Sequence, residues 1–278
     1  MTIDARRQAW QVWDRDTGYG DLFYKRAVGQ MPEMESSKAV ARILKGFTHA
    51  GDTILDVGCG AGHYLRSLRR EIPVPFRYVG VDATKNYVEI ARQAWRNDRN
   101  AEFETANIFC LPFQDSACDI VMSCNVILHL PSIKAPLAEL VRVAGKVALI
   151  RAMVGERSFR IQEVYSPATH PDAFSGDPDE EEFDEHGEPK SFHYFNIYSR
   201  AYIEKLISKM PGVAGYRIYA DEDFDVARID SEEYPEAPPD KTSTIDGWQV
   251  NGNILMPWHF IEITKSEITK REITKSGR

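Results

Sequence analysis

The chain has 278 residues, of which 43% are hydrophobic and 27% are charged. This is the composition of an ordinary globular protein, and it excludes a wholly disordered or collagen-like chain. No stretch approaches the roughly 18 consecutive apolar residues of a membrane span, and the amino terminus lacks the apolar core of a signal peptide. The sequence therefore predicts a cytoplasmic protein with no membrane partner.

Charge is distributed unevenly along the chain. The formal net charge is −8, but residues 170–240 hold 19 acidic and 6 basic residues, a net of −13. Subtraction leaves +5 on the rest of the chain, without the clustered Lys and Arg that a phosphate backbone requires. Nucleic acid is therefore a disfavoured partner. The acidic stretch is typical of a solvated surface segment, or of a lid that attracts a cationic substrate.

Strands and helices alternate from residue 51 to residue 152, after a region with helical spacing of apolar residues within 1–50. The predicted strands span residues 53–57, 76–82, 101–106, 119–124, 146–151, 216–220 and 259–263. The predicted helices span residues 63–71, 85–96, 132–143 and 199–209. This alternation indicates right-handed βαβ crossovers and a parallel sheet. The strands are continuously apolar, as expected for a sheet that is covered on both faces.

Two long connections, 153–197 and 221–256, interrupt this pattern and are predicted to lack regular structure. Connections of this length are uncommon in compact domains and are usually functional. The segment 265–278 continues a repeat of Glu-Ile-Thr-Lys and is predicted to be a low-complexity tail.

Metal and disulfide chemistry are disfavoured by residue spacing. The four cysteines form no C-x-x-C pair, and all lie between residues 59 and 124, in a stretch predicted to be buried sheet. Reduced thiols fit this pattern better than disulfides or zinc. No histidine pair has metal-ligand spacing on a recognisable element, so no metal site is predicted.

A glycine-rich turn follows the first strand and carries the strongest functional signal. Glycines at 58, 60 and 62 allow the backbone to approach a ligand closely, and the following helix offers unpaired N–H donors. Twenty residues later, Asp82 ends the second strand, where a carboxylate can accept both ribose hydroxyls of an adenosine ligand. The dinucleotide fingerprint requires a third glycine at position 63, which is His63. The turn therefore favours an adenosine ligand with an amino-acid arm.

On these motifs the sequence resembles the class I S-adenosylmethionine-dependent methyltransferase family. The resemblance covers residues 51–152 by motif and the remainder by the order of elements. It implies that Asp56 helps to hold the amino group of the cofactor, that Asp82 binds the ribose, and that residues 106–109 bind the adenine. The family usually has Asp at the position of Asn107. The cofactor-binding residues implied are Asp56, Gly58, Cys59, Gly60, Gly62, Asp82, Ala83, Asn107, Ile108 and Cys124.

The resemblance implies a doubly wound, Rossmann-like α/β fold. Its sheet is expected to have seven strands, mostly parallel with an antiparallel last strand. The expected domains are an N-terminal helical cap (1–50), a methyltransferase domain (51–264) with lid insertions at 153–197 and 221–256, and the tail (265–278).

The acceptor is expected at the carboxyl ends of the parallel strands, where open α/β sheets bind their ligands. Both insertions begin at that edge, so they are predicted to cover the methyl donor together with the N-terminal helices. The predicted acceptor-binding residues are Tyr19, Tyr24, Tyr194, Asn196, Tyr198 and Trp258. The candidates for a general base or for acceptor positioning are His129, His193 and His259.

The predicted activity is methyl transfer from S-adenosyl-L-methionine to an O or N atom of a small organic acceptor. Two alternatives stay open: a macromolecular methyltransferase acting on protein or RNA, and a non-catalytic S-adenosylmethionine-binding protein. The oligomeric state is not predicted.

Overall fold

The computed structural model describes residues 18–164, 183–226, 242–246, 248–251 and 254–266. The α-helices are α1 (Gly18–Val28), α2 (Glu35–Lys45), α3 (His63–Glu71), α4 (Lys85–Ala94), α5 (Lys134–Val143) and α6 (Arg200–Ile207). The strands are β1 (Thr53–Val57), β2 (Arg77–Asp82), β3 (Ala101–Thr105), β4 (Cys118–Cys124), β5 (Ala144–Gly155), β6 (Gln162–Val164), β7 (Phe192–Tyr194), β8 (Tyr198–Ser199), β9 (Val213–Ala220), β10 (Thr242–Ile245), β11 (Trp248–Asn251), β12 (Ile254–Met256) and β13 (Trp258–Lys265).

A mostly parallel sheet with the order β3-β2-β1-β4-β5-β13-β9 forms the centre of the fold. Strands β1 to β5 pair in parallel, and β13 runs antiparallel to both β5 and β9. The α/β class, the parallel sheet and the antiparallel last strand are therefore confirmed.

The sheet has eight strands, so the prediction of seven was wrong. Strand β5 does not end near Arg151 but continues to Gly155, beyond the last residue that pairs with β4. This extension exposes backbone donors and acceptors, and β8 pairs with them in parallel at Val154 and Gly155. A two-residue strand such as β8 has no periodicity by which a sequence could reveal it.

Each central strand contributes to two apolar layers because successive side chains point to opposite faces of the sheet. On one face, Ile120 and Met122 of β4 pack in a cluster with α2, α3 and α4. On the other face, Val121 packs in a cluster with α5 and α6. Helices on both faces explain why β1, β4 and β5 are almost continuously buried.

The connection 221–256 contains regular structure, contrary to the prediction. Strands β10, β11 and β12 form a three-stranded antiparallel sheet. The prediction relied on the prolines at 235, 238 and 239, all of which lie outside the described residues. In the other connection, β6 and β7 form an antiparallel pair.

Several predicted features lie wholly or partly outside the described residues. They are most of the N-terminal region before residue 18, the acidic run 177–185 except for its last three residues, and the tail beyond residue 266. In the part of the chain that the structure covers, no helix is long and apolar enough to cross a membrane.

Candidate active site

The glycine-rich turn after β1 adopts a backbone that requires glycine. Gly58, Gly60 and Gly62 have φ values of +81°, +53° and +71°, a region that side chains disfavour. A Cβ atom at Gly58 would lie 2.3 Å from Cγ2 of Val126, and one at Gly62 would lie 2.8 Å from the Phe103 ring. The turn therefore packs directly on the segment after β4.

Asp82 connects the ends of β1 and β2. Its Oδ2 accepts a hydrogen bond from the backbone N–H of Gly60 at 2.9 Å, and its Oδ1 accepts one from the N–H of Thr84 at 2.9 Å. The carboxylate is half-buried, next to the exposed Ala83. Because both oxygens are oriented by backbone donors, Asp82 is held in a fixed position at the carboxyl edge of the sheet.

Asp56 is buried beneath the glycine-rich turn. Its carboxylate accepts a hydrogen bond from the Tyr78 hydroxyl at 2.6 Å. Burial raises the pKa of Asp56 to about 7, although the bond from Tyr78 acts in the opposite direction. Cys59 and Cys124 are also buried, and burial raises the pKa of both thiols well above the ordinary range. Neither thiol is therefore a reactive thiolate near neutral pH.

Asn107 and Ile108 form a turn just after β3. The Oδ1 atom of Asn107 accepts a hydrogen bond from the N–H of Phe109 at 3.0 Å, and Asn107 pairs with Cys110 in an isolated bridge. Asn107 is exposed, whereas Ile108 is buried in the core. An amide in this position satisfies a local turn as an aspartate would.

Helix α1 approaches the glycine-rich turn from the N-terminal region. The Phe23 ring stacks on the His63 ring at 4.5 Å between centroids, and a Cβ atom at Gly60 would lie 3.2 Å from Phe23. Burial lowers the pKa of His63 to about 3, so the imidazole is neutral. From the sequence, His63 is notable only as the residue at the position of a third glycine, and no pattern predicts its stack on Phe23.

The segment after β4, residues 125–130, is named here the post-β4 turn. It begins with Asn125, which has a φ value of +61°, and contains a 3₁₀ helix at Ile127–His129. The Nδ1–H of His129 donates to the carbonyl oxygen of Tyr194 at 2.7 Å. Burial, assisted by the nearby His193, lowers the pKa of His129 to about 3.

The structure brings His129 and His193 together and places His259 on a different element. The rings of His129 and His193 lie 6.0 Å apart, and His193 Nε2 lies 2.9 Å from Oε2 of Glu163. This carboxylate–imidazole pair joins β6 to β7. His259 lies on β13, with its Nδ1 at 2.9 Å from the Pro257 carbonyl oxygen.

The buried polar residues predicted to bind an acceptor also support the post-β4 turn. Asn196 donates through its backbone N–H to Leu128 and through Nδ2 to Leu130, at 3.0 and 2.9 Å. The hydroxyl of Tyr198 donates to the same Leu130 carbonyl at 3.4 Å. The Oδ1 atom of Asn196 is buried and has no hydrogen-bond partner among the described groups.

Four aromatic residues complete the predicted acceptor set. The hydroxyl of Tyr194 accepts a hydrogen bond from Arg160 at 2.5 Å, and Trp258 lies 4.0 Å beneath the guanidinium of Arg151. Tyr24 is half-buried on α1. The side chain of Tyr19 lies outside the described residues. Contact between these residues and an acceptor stays a prediction.

Comparison with known proteins finds relatives whose sequences match part of this chain. Residues 54–146 match the model of a methyltransferase domain family. An uncharacterised methyltransferase of Schizosaccharomyces pombe is 34% identical over 100 residues, which cover 33% of this chain and 36% of that protein. A demethylmenaquinone methyltransferase of Lactococcus lactis is 30% identical over 105 residues, which cover 36% of this chain and 42% of that protein. Each alignment therefore spans less than half of the relative's length.

Solved structures extend the similarity of the fold beyond that segment. A SAM-dependent methyltransferase from Methanosarcina mazei has a TM-score of 0.50 at 16% identity, covering 80% of this chain and 96% of that one. A methyltransferase of Haloferax volcanii, solved in complex with the activator Trm112, has a TM-score of 0.52 at 21% identity, covering 88% and 95%. These findings show that residues 54–146 match a methyltransferase domain family and that the chain has the Rossmann-like fold of S-adenosylmethionine-dependent methyltransferases.

Proposed function

We propose that this protein transfers the methyl group of S-adenosylmethionine to an O or N atom of a small organic acceptor. The observation that carries the proposal is the closure of residues 192–198 onto the post-β4 turn. His129, Leu128 and Leu130 each bond to this segment. A macromolecular acceptor requires an open groove, whereas a small acceptor is favoured by a covered site that excludes water.

Names of relatives support the same class of acceptor. Besides the demethylmenaquinone methyltransferase, a malonyl-[acyl-carrier protein] O-methyltransferase of Serratia marcescens is 32% identical over 98 residues, covering 35% of this chain and 36% of that protein. Demethylmenaquinone is a small organic acceptor, and the second name specifies transfer to oxygen. For this chain, these names support methyl transfer to an organic group without identifying the acceptor or its reacting atom.

The residues present fit the cofactor. The backbone at Gly58 packs so closely on Val126 that any Cβ would clash, and the Asp82 carboxylate is oriented beside the same turn by the N–H of Gly60. Asp82 would bind the ribose, Asp56 would hold the amino group, and Asn107 with Ile108 would flank the adenine. When bound, S-adenosylmethionine supplies a methyl group on a positively charged sulfonium.

The protein contributes chiefly orientation and the exclusion of water. Holding two reactants in line can supply about 7–11 kcal/mol of the barrier. An acceptor that is protonated at the reacting atom also needs a base, which adds roughly 10²–10⁴-fold. His193 is the candidate for that base, because Glu163 orients its ring and stabilises an imidazolium. The neighbouring His129 stays neutral because its pKa is lowered to about 3.

The test is a transfer assay with S-adenosylmethionine that carries a radioactive methyl group. The purified protein is incubated separately with catechol, benzoic acid, an aromatic amine and a small-molecule filtrate of cell extract. A parallel reaction contains the macromolecular fraction of the same extract. We expect label in low-mass products. Label confined to protein or RNA would instead support a macromolecular methyltransferase. Calorimetric binding without any transfer would support a non-catalytic binding protein.

A further inference from the structure

The buried side chain of Arg151 forms hydrogen bonds to two other segments along the carboxyl edge of the sheet. Its Nε donates to Oδ2 of Asp221 at 2.6 Å, and both side chains are at most 3% exposed. Its Nη1 donates to Oδ1 of Asn125 at 2.6 Å. One guanidinium therefore connects the residue after β4 to the residue after β9, across the intervening strand β13.

The guanidinium has little freedom to leave this position. The Trp258 ring lies 4.0 Å from its central carbon, and the backbone N–H of Asp221 donates to the Trp258 carbonyl at 2.9 Å. Trp258 and Asp221 therefore hold each other as well as the arginine. A planar fork with several donors can serve two acceptors at once, which the single ammonium of a lysine does less well.

Asn125 is held from both sides by its amide group. Besides the bond from Arg151, its Nδ2 donates to the Tyr64 hydroxyl at 3.4 Å, and its backbone N–H donates to the Arg151 carbonyl at 3.0 Å. Its φ of +61° is unusual for a residue other than glycine. The next residue, Val126, is the one that meets the glycine-rich turn at Gly58.

We propose that Arg151 is a positioning residue for the cofactor. By fixing Asn125 in its left-handed conformation, Arg151 sets the position of Val126 against Gly58 and so fixes the backbone of the glycine-rich turn. The inference rests on the proposed cofactor site at that turn. Stability alone is a weak explanation for the pair, because buried ion pairs are often replaceable by apolar residues without loss of stability.

The experiment compares two double variants, because removing one partner of a buried ion pair leaves an unpaired charge and destabilises the fold. Arg151→Met with Asp221→Leu removes the ion pair between these side chains and the hydrogen bond from Arg151 to Asn125. The matched control, Arg217→Met with Glu262→Met, removes another ion pair that joins neighbouring strands of the same sheet. Arg151→Lys is a third variant, which keeps the charge opposite Asp221 but loses the fork.

Affinity for S-adenosylhomocysteine is measured by calorimetry, and amide hydrogen exchange of residues 124–126 is measured without ligand. We expect the Arg151 double variant to remain folded, to bind about 10- to 50-fold more weakly and to exchange faster at residues 124–126. The control should bind within twofold of the wild type, and the affinity of Arg151→Lys should lie between those of the two double variants.

An Arg151 double variant that is folded and binds like the wild type would overturn the inference. So would equal losses in the two double variants. A wild type that does not bind would instead contradict the proposed cofactor site, and with it this inference.

Discussion

The glycine-rich turn after β1 and residues 192–198, called here the aromatic segment, pack on the same post-β4 turn, but different contacts hold them there. The glycine-rich turn is fixed by local backbone geometry and by Asp82, 22 residues beyond Gly60. The aromatic segment is fixed by contacts that span 65 or 66 residues, such as those from His129 and Asn196. The donor side is thus specified locally, and the acceptor side depends on the assembled fold.

This difference predicts that substitutions on the two sides have separable effects. Changes on the donor side should weaken cofactor binding. Changes on the acceptor side should lower turnover and leave cofactor binding intact.

Gly58→Ala should abolish measurable binding of S-adenosylhomocysteine, a loss of about 1000-fold or more. The added Cβ would lie 2.3 Å from Cγ2 and 3.1 Å from Cγ1 of Val126, so both methyl groups obstruct it. Gly51→Ala is the matched control, since Gly51 has a φ of +87° but nothing within 4 Å of its Cβ position. Calorimetry should show a normal affinity for the control. Similar losses of affinity in both variants would mean that backbone strain, and not the clash with Val126, decides binding.

His193→Gln should lower kcat about 100-fold while the affinity for S-adenosylhomocysteine stays within twofold. The reason is loss of the base that receives the acceptor's proton, which is worth roughly 10²–10⁴-fold. Glu163→Gln should give a smaller loss, because it removes only the orienting carboxylate. His186→Gln, at an exposed position, serves as the control. Steady-state kinetics on the identified acceptor provide the measurement, and an unchanged kcat would remove His193 from the mechanism.

Asp82→Ala should weaken S-adenosylhomocysteine binding about 10- to 100-fold. The net loss of one hydrogen bond from ribose to a charged acceptor, roughly 1.5–3 kcal/mol, already accounts for a range of this size. Asp82→Asn should lose less, since one oxygen still accepts from Gly60. Binding is measured by calorimetry, and circular dichroism checks the fold. Wild-type affinity in a folded Asp82→Ala variant would contradict the ribose assignment.

His63→Phe, which keeps the stack on Phe23, should make the folding stability of the protein less sensitive to acid. The folded-state pKa of His63 is about 3, below the ordinary 6.5. Below pH 6.5 the unfolded chain binds a proton that the folded chain does not, so stability falls with pH, by about 1.4 kcal/mol per unit. His129 contributes in the same direction. Asp56, with its raised pKa, opposes both between about pH 4 and 7.

Urea unfolding between about pH 6.5 and 4 measures this slope. In His63→Phe the slope should be shallower by about 1.4 kcal/mol per pH unit. Identical slopes in the wild type and His63→Phe would show that His63 does not stay neutral in the folded protein.

Much of the donor side was predictable because its signals are local. The bounds of β1 and α3 agree with the predicted ones, since apolar periodicity and the glycines determine where each element begins and ends. Asp82 ends β2 as predicted, and it accepts a bond from Gly60 that was not predicted. The roles of these residues toward the cofactor stay predictions.

The acceptor side was less predictable because its contacts join distant segments. Arg151 and Asp221 are 70 residues apart, and neither has a local pattern that marks an ion pair. The same holds for β8, which depends on the extension of β5, and for the bond from His129 to the Tyr194 carbonyl. Only the shared edge of the sheet, from the rule for parallel strands, could be inferred in advance.

The burial of the thiols has a practical consequence for spectroscopy. Cys59, Cys118 and Cys124 are buried and Cys110 is exposed, while burial raises the pKa of Cys118 to about 11. A maleimide dye should therefore label the unmodified protein at Cys110 alone. That residue closes the turn of Asn107, so the fluorescence of the dye would report occupancy of the adenine side without any engineered cysteine.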